Sequence, residues 1–216
     1  MSVIDFFYWF LLLIVLGIGA MRYKKLTLPF KVLTWSVLIV FLFNVIGKVY
    51  SNRYKSNAPI LQLESIAEYV FYALIYYYLF KNKTIKKVIL SSIVIIFFLF
   101  IINAFFLQPF LKVFPTNIYL PTQILFVIFS LLLFKQMLLY PSKVNIVKQG
   151  VFWFNTAMFF YATTMFLNLG LANYYVAHHI NDYSLYYFWY FSLYLFHVFI
   201  GVSLFTDNKE MTTTYA

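Results

Sequence analysis

The sequence contains no cysteine. Disulfide bonds, thiolate metal sites and cysteine nucleophiles are therefore excluded. Charge is also scarce, since 10% of the 216 residues are charged, 16 of them basic and only 6 acidic. A soluble domain has about 25% charged and about 45–50% apolar residues. This chain has too few charged groups to cover a surface that faces water.

The motifs of several enzyme classes are missing as well. The chain has no HExxH zinc-protease helix, no GxSxG nucleophile turn and no glycine-rich phosphate loop. It also lacks the HxxxH pair that seven-helix zinc hydrolases carry on a late helix. A serine nucleophile assisted by His197 stays open, but no particular serine is indicated. The sequence therefore favours a protein that is not an enzyme and predicts no cofactor.

Apolar residues make up 64% of the chain and aromatic residues 24%. They fall into seven segments, each close to the roughly 17–25 residues of a membrane-spanning helix. The segments show no strand-like alternation, so we expect helices rather than barrel strands. The predicted spans are residues 3–20, 32–49, 61–80, 88–107, 122–140, 151–172 and 185–205. The sequence thus predicts an all-α seven-helix transmembrane domain over residues 1–206, followed by a short polar tail over 207–216.

The basic residues follow the odd-numbered spans. This set comprises Arg22, Lys24, Lys25, Lys31, Lys81, Lys83, Lys86, Lys87, Lys135, Lys143, Lys148 and Lys209. The opposite loops carry only Lys48, Arg53, Lys55 and Lys112. The positive-inside rule then places the N-terminus outside and the C-terminus in the cytoplasm. The net charge of +10 comes from these loops, where the basic side chains can meet anionic lipid headgroups. No direct nucleic-acid binding is expected.

Two carboxylates stand inside the third span. Glu64 and Glu68 are four residues apart, so they share a helix face that Tyr72 extends. A carboxylate within a membrane usually faces the bundle interior or a water-filled cavity. One interpretation is an outward-facing polar pocket that binds a cation or small ligand, or that titrates. The alternative is a structural ion pair between Glu68 and Lys48 of the second span, with Glu64 at the interface.

Other polar side chains fall in the same half of the predicted bundle. FLFN, FIIN and MFLN place Asn44, Asn103 and Asn168 near the ends of spans two, four and six. This recurring pattern indicates either an ancient internal repeat of helix pairs or a chance result of the composition. Together with Gln108, these asparagines are candidate lining of the pocket. The alternative is hydrogen bonding between helices, which membrane bundles use as modest stabilisation.

Histidines provide two further candidates. His197 continues a stripe of tyrosines on span seven, where it would relay a proton, bind a ligand or pack as a hydrogen-bonded core residue. His178, His179 and Asp182 lie in the loop before that span. With Glu64 or Glu68 they have the residue types of a divalent metal site, but their spacing matches no strong motif, and no metal is predicted.

Three stretches carry a family resemblance: the Glu64–Tyr72 face, the run INAFFLQPF and the run VFWFNTAMFFY. Over residues 59–175 the chain resembles uncharacterised bacterial seven-helix membrane proteins found near sensor histidine kinases. This resemblance implies a sensory or signalling-accessory protein that passes its signal to a separate protein through the short inner loops. The chain is also similar to membrane accessory proteins of bacterial defence systems in its small size and its lack of catalytic motifs.

The leading functional hypothesis is a non-enzymatic membrane sensor or signalling accessory. Its pocket would use Glu64, Glu68, Tyr72, Asn44, Lys48, Asn103, Gln108, Asn168 and His197. The alternatives are a small transporter or channel, a membrane accessory of a defence system, and a membrane-embedded lipid-modifying enzyme.

Overall fold

The computed structural model describes residues 3–111, 114–141, 144–178 and 184–209. Over these residues the chain forms seven α-helices and no β-strand. The helices are α1 Val3–Arg22, α2 Leu28–Tyr54, α3 Ala58–Leu79, α4 Lys83–Ile102, α5 Thr116–Leu139, α6 Gly150–Ala177 and α7 Ser184–Thr206. Each predicted apolar segment corresponds to one helix, and the all-helical prediction is confirmed.

Six of these helices are long and apolar enough to cross a membrane, counted over the described residues. The fourth of them is counted together with the turn that follows α4, to Leu107. Helix α6 is not among the six. It is the longest helix, with 28 residues, but Asn155, Thr163, Thr164 and Asn168 lower its hydropathy. The structure thus shows a helical, multi-pass membrane protein with six candidate spans.

Local sequence signals explain several helix ends. Pro59 occupies the first turn of α3, where its missing N–H is not needed. The side chain of Asn82 caps α4 by accepting hydrogen bonds from the backbone N–H of Thr84 at 2.7 Å and of Ile85 at 3.3 Å.

Two predicted features of the fourth and fifth spans need correction. The α-helical part of α4 ends at Ile102, and Asn103–Leu107 continues it as a π-helical turn. The N–H of Gln108 reaches the carbonyl oxygen of Asn103, five residues earlier, at 2.9 Å. The sequence placed Pro121 just before the fifth span, but Pro121 lies inside α5, because this helix begins at Thr116. A polar first turn starts the helix before the apolar run begins.

The chain divides into two compact units. In the unit of residues 28–122, α3 packs against both α2 and α4. Its core is formed by apolar and aromatic side chains from these helices. They include Leu33, Val37, Tyr69, Tyr72, Ala73, Tyr76 and Ile89.

In the unit of residues 1–27 and 123–216, α7 packs against both α1 and α6. Gly201 of α7 faces α1, since a Cβ atom there would be in ordinary van der Waals contact with Val15 Cγ2 at 3.5 Å. In both units large apolar side chains remain on the outside, and Phe106, Met21 and Leu138 are 81%, 89% and 77% exposed. Such a surface suits hydrocarbon rather than water.

Candidate functional site

The two glutamates lie on one face of α3, as predicted. Glu64 and Glu68 are half-buried, and Tyr72, one turn further on, is 2% exposed. Because α3 begins at Ala58, Glu68 stands halfway along this 22-residue helix. A carboxylate near the middle of a spanning helix is costly to keep in hydrocarbon. Its presence there calls for a compensating polar group or ligand.

Asn44 of α2 provides one such group. Its Nδ2 donates a hydrogen bond to Oε1 of Glu64 at 3.2 Å and another to the carbonyl oxygen of Val40 at 3.0 Å. Lys48 is also half-buried and lies one turn after Asn44 on the same helix. The α2–α3 contact thus joins an amide to one of the two carboxylates. The pairing of Lys48 with Glu68 stays a prediction.

This arrangement favours positively charged partners. Two carboxylates one helical turn apart repel each other when both are ionised, and low polarity strengthens that repulsion. A cation held between them removes the repulsion, whereas an anion increases it. The amide of Asn44 orients Glu64 but carries no charge of its own.

Asn103 and Gln108 belong to a hydrogen-bond network around the π-helical turn. Asn103 Nδ2 donates to Gln108 Oε1 at 3.1 Å, and Gln108 Nε2 donates to Thr116 Oγ1 at 2.8 Å. Asn117 Nδ2 completes the network by donating to Asn103 Oδ1 at 3.1 Å. These side chains tie the end of α4 to the start of α5. Their role as pocket lining stays a prediction, and the contacts show that they stabilise the connection.

Gln62 is a buried amide that the sequence analysis did not single out. It is fully buried, and its Nε2 donates to the carbonyl oxygen of Phe110 at 3.0 Å. This bond holds the α4–α5 connection against α3, two residues before Glu64. A glutamine between apolar residues in a predicted span was the available signal, because such a side chain needs a partner.

The two remaining predicted site residues belong to the other unit. Asn168 of α6 is 2% exposed, and its Nδ2 donates to the carbonyl oxygen of Leu185 at 3.0 Å. This bond ties α6 to the start of α7. Asn168 therefore makes the helix-to-helix contact that was the alternative to a ligand role.

His197 lies in the core of that unit and is 1% exposed. Its Nδ1 is 2.9 Å from the carbonyl oxygen of Leu193, so Nδ1 carries the proton and donates it. Its ring meets the edges of Tyr8 at 5.4 Å and Phe196 at 5.0 Å between ring centroids. Nε2 is buried and has no hydrogen-bond partner within the described residues. Aromatic packing thus surrounds a histidine with one open acceptor.

The N-terminal half of α1 meets the tyrosine stripe of α7. Tyr190 Oη donates to Oδ1 of Asp5 at 2.7 Å, and Tyr194 Oη donates to the carbonyl oxygen of Ile4 at 2.7 Å. The sequence analysis did not single out Asp5. A lone acid in the first turn of an apolar helix was the signal, since it needs a donor from another helix.

The histidine-rich loop before α7 is only partly described. His178 is exposed, and its ring lies near that of Tyr174, with centroids 4.2 Å apart and planes tilted by 45°. His179 and Asp182 lie outside the described residues. Among the residues that are described, no group of three His, Asp or Glu side chains is placed to hold a metal ion.

Comparisons of the chain with protein-family models, with curated proteins and with solved structures found no match.

Proposed function

We propose that this protein is a non-enzymatic sensor or signalling accessory of the bacterial cytoplasmic membrane, and that it binds a cationic ligand through Glu64 and Glu68. The observation that carries the proposal is the position of the two carboxylates. They share one face of α3, one of them at mid-helix, with the amide of Asn44 bonded to Glu64. An ionisable group at this depth is retained at a cost, which a function explains.

The proposal includes seven spans, with α6 as the sixth. Helix α6 has 28 residues, about 42 Å at 1.5 Å per residue, which exceeds the roughly 30 Å hydrocarbon thickness. Two of its amides have partners inside the protein, since Asn155 Nδ2 donates to the carbonyl oxygen of Ser130 and Asn168 Nδ2 to that of Leu185, each at 3.0 Å. A helix that satisfies its most polar side chains internally can cross the bilayer at a lower mean hydropathy. The N-terminus is then outside and the C-terminus inside, with the lysine-rich loops facing a separate signalling protein.

The test uses three cations of different kinds: choline, spermidine and Ca²⁺. The thermal unfolding midpoint of the purified protein is measured with and without each, for the wild type, Glu64→Gln and Glu68→Gln. We expect at least one cation to raise the wild-type midpoint and both variants to lose that response. Ser91→Ala, an exposed position on α4, is the control that keeps it.

Two results would count against the proposal. One is a wild-type midpoint that none of the three cations changes. The other is a Glu68→Gln variant that responds like the wild type and is more stable, which would make Glu68 a tolerated charge rather than a ligand group.

A transporter is the second candidate, and the broken geometry between α4 and α5 favours it. The π-helical turn Asn103–Leu107 departs from regular α-helix, and Pro121 lies inside α5. Interrupted helices are common at the binding sites of secondary transporters, and π-helical turns are frequent at functional sites. Flux of the same cations into liposomes that contain the protein would support transport. Binding without flux would favour the sensor.

A further inference from the structure

A cleft opens where α5 ends and the chain turns back towards α6. Its volume is about 310 Å³. Most of its lining side chains are apolar or aromatic. They are Met137, Tyr140, Pro141, Val144 and Ile146. This cleft belongs to the unit that does not contain Glu64 and Glu68, so it is separate from the site of the proposed function.

Hydrogen bonds within the connection hold the cleft in shape. Gln149, which also lines the cleft, donates from Nε2 to the carbonyl oxygen of Val144 at 2.7 Å. Oδ1 of Asn145 accepts from the N–H of Val147 at 3.1 Å, which starts the short 3-10 helix Ile146–Lys148. Trp153 Nε1 of α6 donates to the carbonyl oxygen of Val147 at 2.8 Å. The cleft is thus preformed by the fold, which lowers the cost of binding.

The surface around the cleft is apolar and aromatic. Leu138, Leu139 and Tyr140 are 77%, 62% and 65% exposed. These residues occupy the last turn of α5 and the position just after it, next to basic residues. Tyr and Trp beside lysines at a helix end are typical of the headgroup level of a membrane. These surroundings suit the level of the lipid headgroups and the first acyl carbons.

Lysines are the charged residues nearest the cleft along the chain, and the carboxylate of Asp207, which lies beside Gly150, is hydrogen-bonded to Thr27. Lys135, two residues before Met137, and Lys148, next to Gln149, are both exposed. From residue 123 to residue 178 the sequence contains three lysines and no Asp or Glu. No carboxylate of this stretch competes for the lysines, so their charge is complementary to an anion.

We propose that the cleft binds the phosphodiester headgroup and glycerol of an anionic phospholipid. Lys135 and Lys148 attract the phosphate, the amides of Asn145 and Gln149 face the polar glycerol, and the apolar side chains contact its carbon atoms. A cleft of about 310 Å³ is at the small end of the range for small-molecule sites, which is about 300–1,000 Å³. It takes a headgroup, while the acyl chains remain in the bilayer beside Leu138 and Leu139. Bound lipid would fix the end of α5 relative to α6.

The charge test compares two double variants with the same change in net charge. Lys135→Gln/Lys148→Gln removes the lysines at the cleft, and Lys83→Gln/Lys87→Gln removes two exposed lysines of α4. Native mass spectrometry measures how many phosphatidylglycerol molecules stay bound in detergent that contains equal phosphatidylglycerol and phosphatidylcholine. We expect the cleft variant to lose affinity about fivefold per lysine, or about 25-fold, and the α4 variant to stay near the wild type.

The shape test keeps both lysines. Ile146→Trp fills the cleft, whereas Val147→Trp adds the same bulk at an exposed neighbour that does not line it. We expect Ile146→Trp to lose the preference for phosphatidylglycerol and Val147→Trp to keep it.

Three results would overturn the proposal. Equal losses in the two lysine variants would mean diffuse surface charge. Displacement of the lipid by inorganic phosphate would assign the cleft to a water-soluble anion. A dimer that Ile146→Trp abolishes would assign it to a second copy of the chain. The cation tests concern Glu64 and Glu68, which belong to the unit of residues 28–122. The lipid proposal and the proposed cation-binding function can therefore fail independently.

Discussion

Thr27 gives both of its hydrogen-bond donors to Asp207, although the two residues are 180 positions apart. The backbone N–H of Thr27 lies 2.8 Å from Oδ2 of Asp207, and its hydroxyl lies 3.1 Å from the same oxygen. Arg22 Nη2 donates to the carbonyl oxygen of Asp207 at 3.0 Å, and the N–H of Lys209 donates to the carbonyl oxygen of Lys25 at 2.9 Å. The segment after α7 is thus fastened to the segment after α1. The predicted polar tail of residues 207–216 begins as part of the fold rather than as a free end.

Removing the Asp207 carboxylate should loosen this junction. Asp207→Ala leaves the N–H of Thr27 without its acceptor in a buried place, so we expect a loss of about 1–3 kcal/mol in the free energy of unfolding. Asp207→Asn keeps an acceptor oxygen and should lose much less. Thermal unfolding in detergent measures both variants. Equal losses would show that the hydrogen bonds to Thr27 contribute little.

The same carboxylate should make stability depend on pH. Burial raises the pKa of Asp207, although the hydrogen bonds from Thr27 and the charge of Arg22 oppose the shift. The folded state then holds the proton more tightly than the unfolded state. The stabilisation from Asp207 is therefore complete below its ordinary pKa and is lost as pH rises through the higher pKa of the folded state. Asp207→Asn should lack this decline, and parallel pH profiles for the variant and the wild type would contradict the prediction.

Gly150 begins α6 against the end of α7, and we expect it to resist substitution. A Cβ atom there would lie 2.7 Å from the carbonyl oxygen of Ser203 and 3.1 Å from the backbone nitrogen of Asp207. Gly150→Ala should therefore cost about 1–3 kcal/mol, because backbone atoms must move. Gly170→Ala is the matched control on the same helix, since nothing lies within 4 Å of its Cβ position. Gly170→Ala should leave the free energy of unfolding unchanged or raise it by about 0.5–1 kcal/mol. Thermal unfolding measures both variants, and a larger loss of stability in Gly170→Ala than in Gly150→Ala would contradict the prediction.

The Tyr69–Ser92 hydrogen bond joins α3 to α4 in the unit of residues 28–122. Tyr69 Oη donates to Ser92 Oγ at 2.7 Å, and both side chains are buried. A double-mutant cycle with Tyr69→Phe and Ser92→Ala should give a coupling of about 0.6–1.7 kcal/mol in a membrane bundle. Pairing Tyr69→Phe with Ser91→Ala, an exposed neighbour, should give none. Similar coupling energies in both cycles would show that Tyr69→Phe changes stability through something other than the hydrogen bond to Ser92.

The chain has no cysteine, so single cysteines can report the topology without background labelling. With seven spans, Cys at Asn57 and His178 should react with a membrane-impermeant thiol reagent in intact cells. Cys at Lys24 and Lys148 should react only after the membrane is opened. All four residues are exposed. If His178→Cys and Lys148→Cys react alike, α6 does not span the membrane.

Much of the fold could be predicted because it depends on local composition. A run of apolar residues in a chain with few charges must form a helix to satisfy its backbone in lipid, and each predicted run is a helix in the structure. The shared face of Glu64 and Glu68 was equally predictable, since a spacing of four fixes it in any helix. The start of α5 could not be predicted, because Thr116 and Asn117 are residue types that are common in loops. Only the structure shows that they bond to Gln108 and Asn103.

The candidate pocket residues show the same difference between what a short segment predicts and what helix packing decides. Sequence reasoning found costly polar groups, but their partners depend on which helices pack together. Asn44 bonds to Glu64, whereas Asn103 closes a loop network and Asn168 holds the start of α7. Three asparagines in similar sequence positions thus make different contacts. Nothing within a single segment distinguishes them.

The sequence by itself determined the helices, their polar faces and the lysine-rich loops, because these follow from hydrophobicity, helical spacing and charge within short stretches. The tertiary structure alone decided that α3 lies between α2 and α4, that Asp207 returns to Thr27, and that a cleft forms beside Tyr140. These features require residues far apart in the chain to meet. Their formation depends on how side chains of several helices pack together, which no single segment encodes.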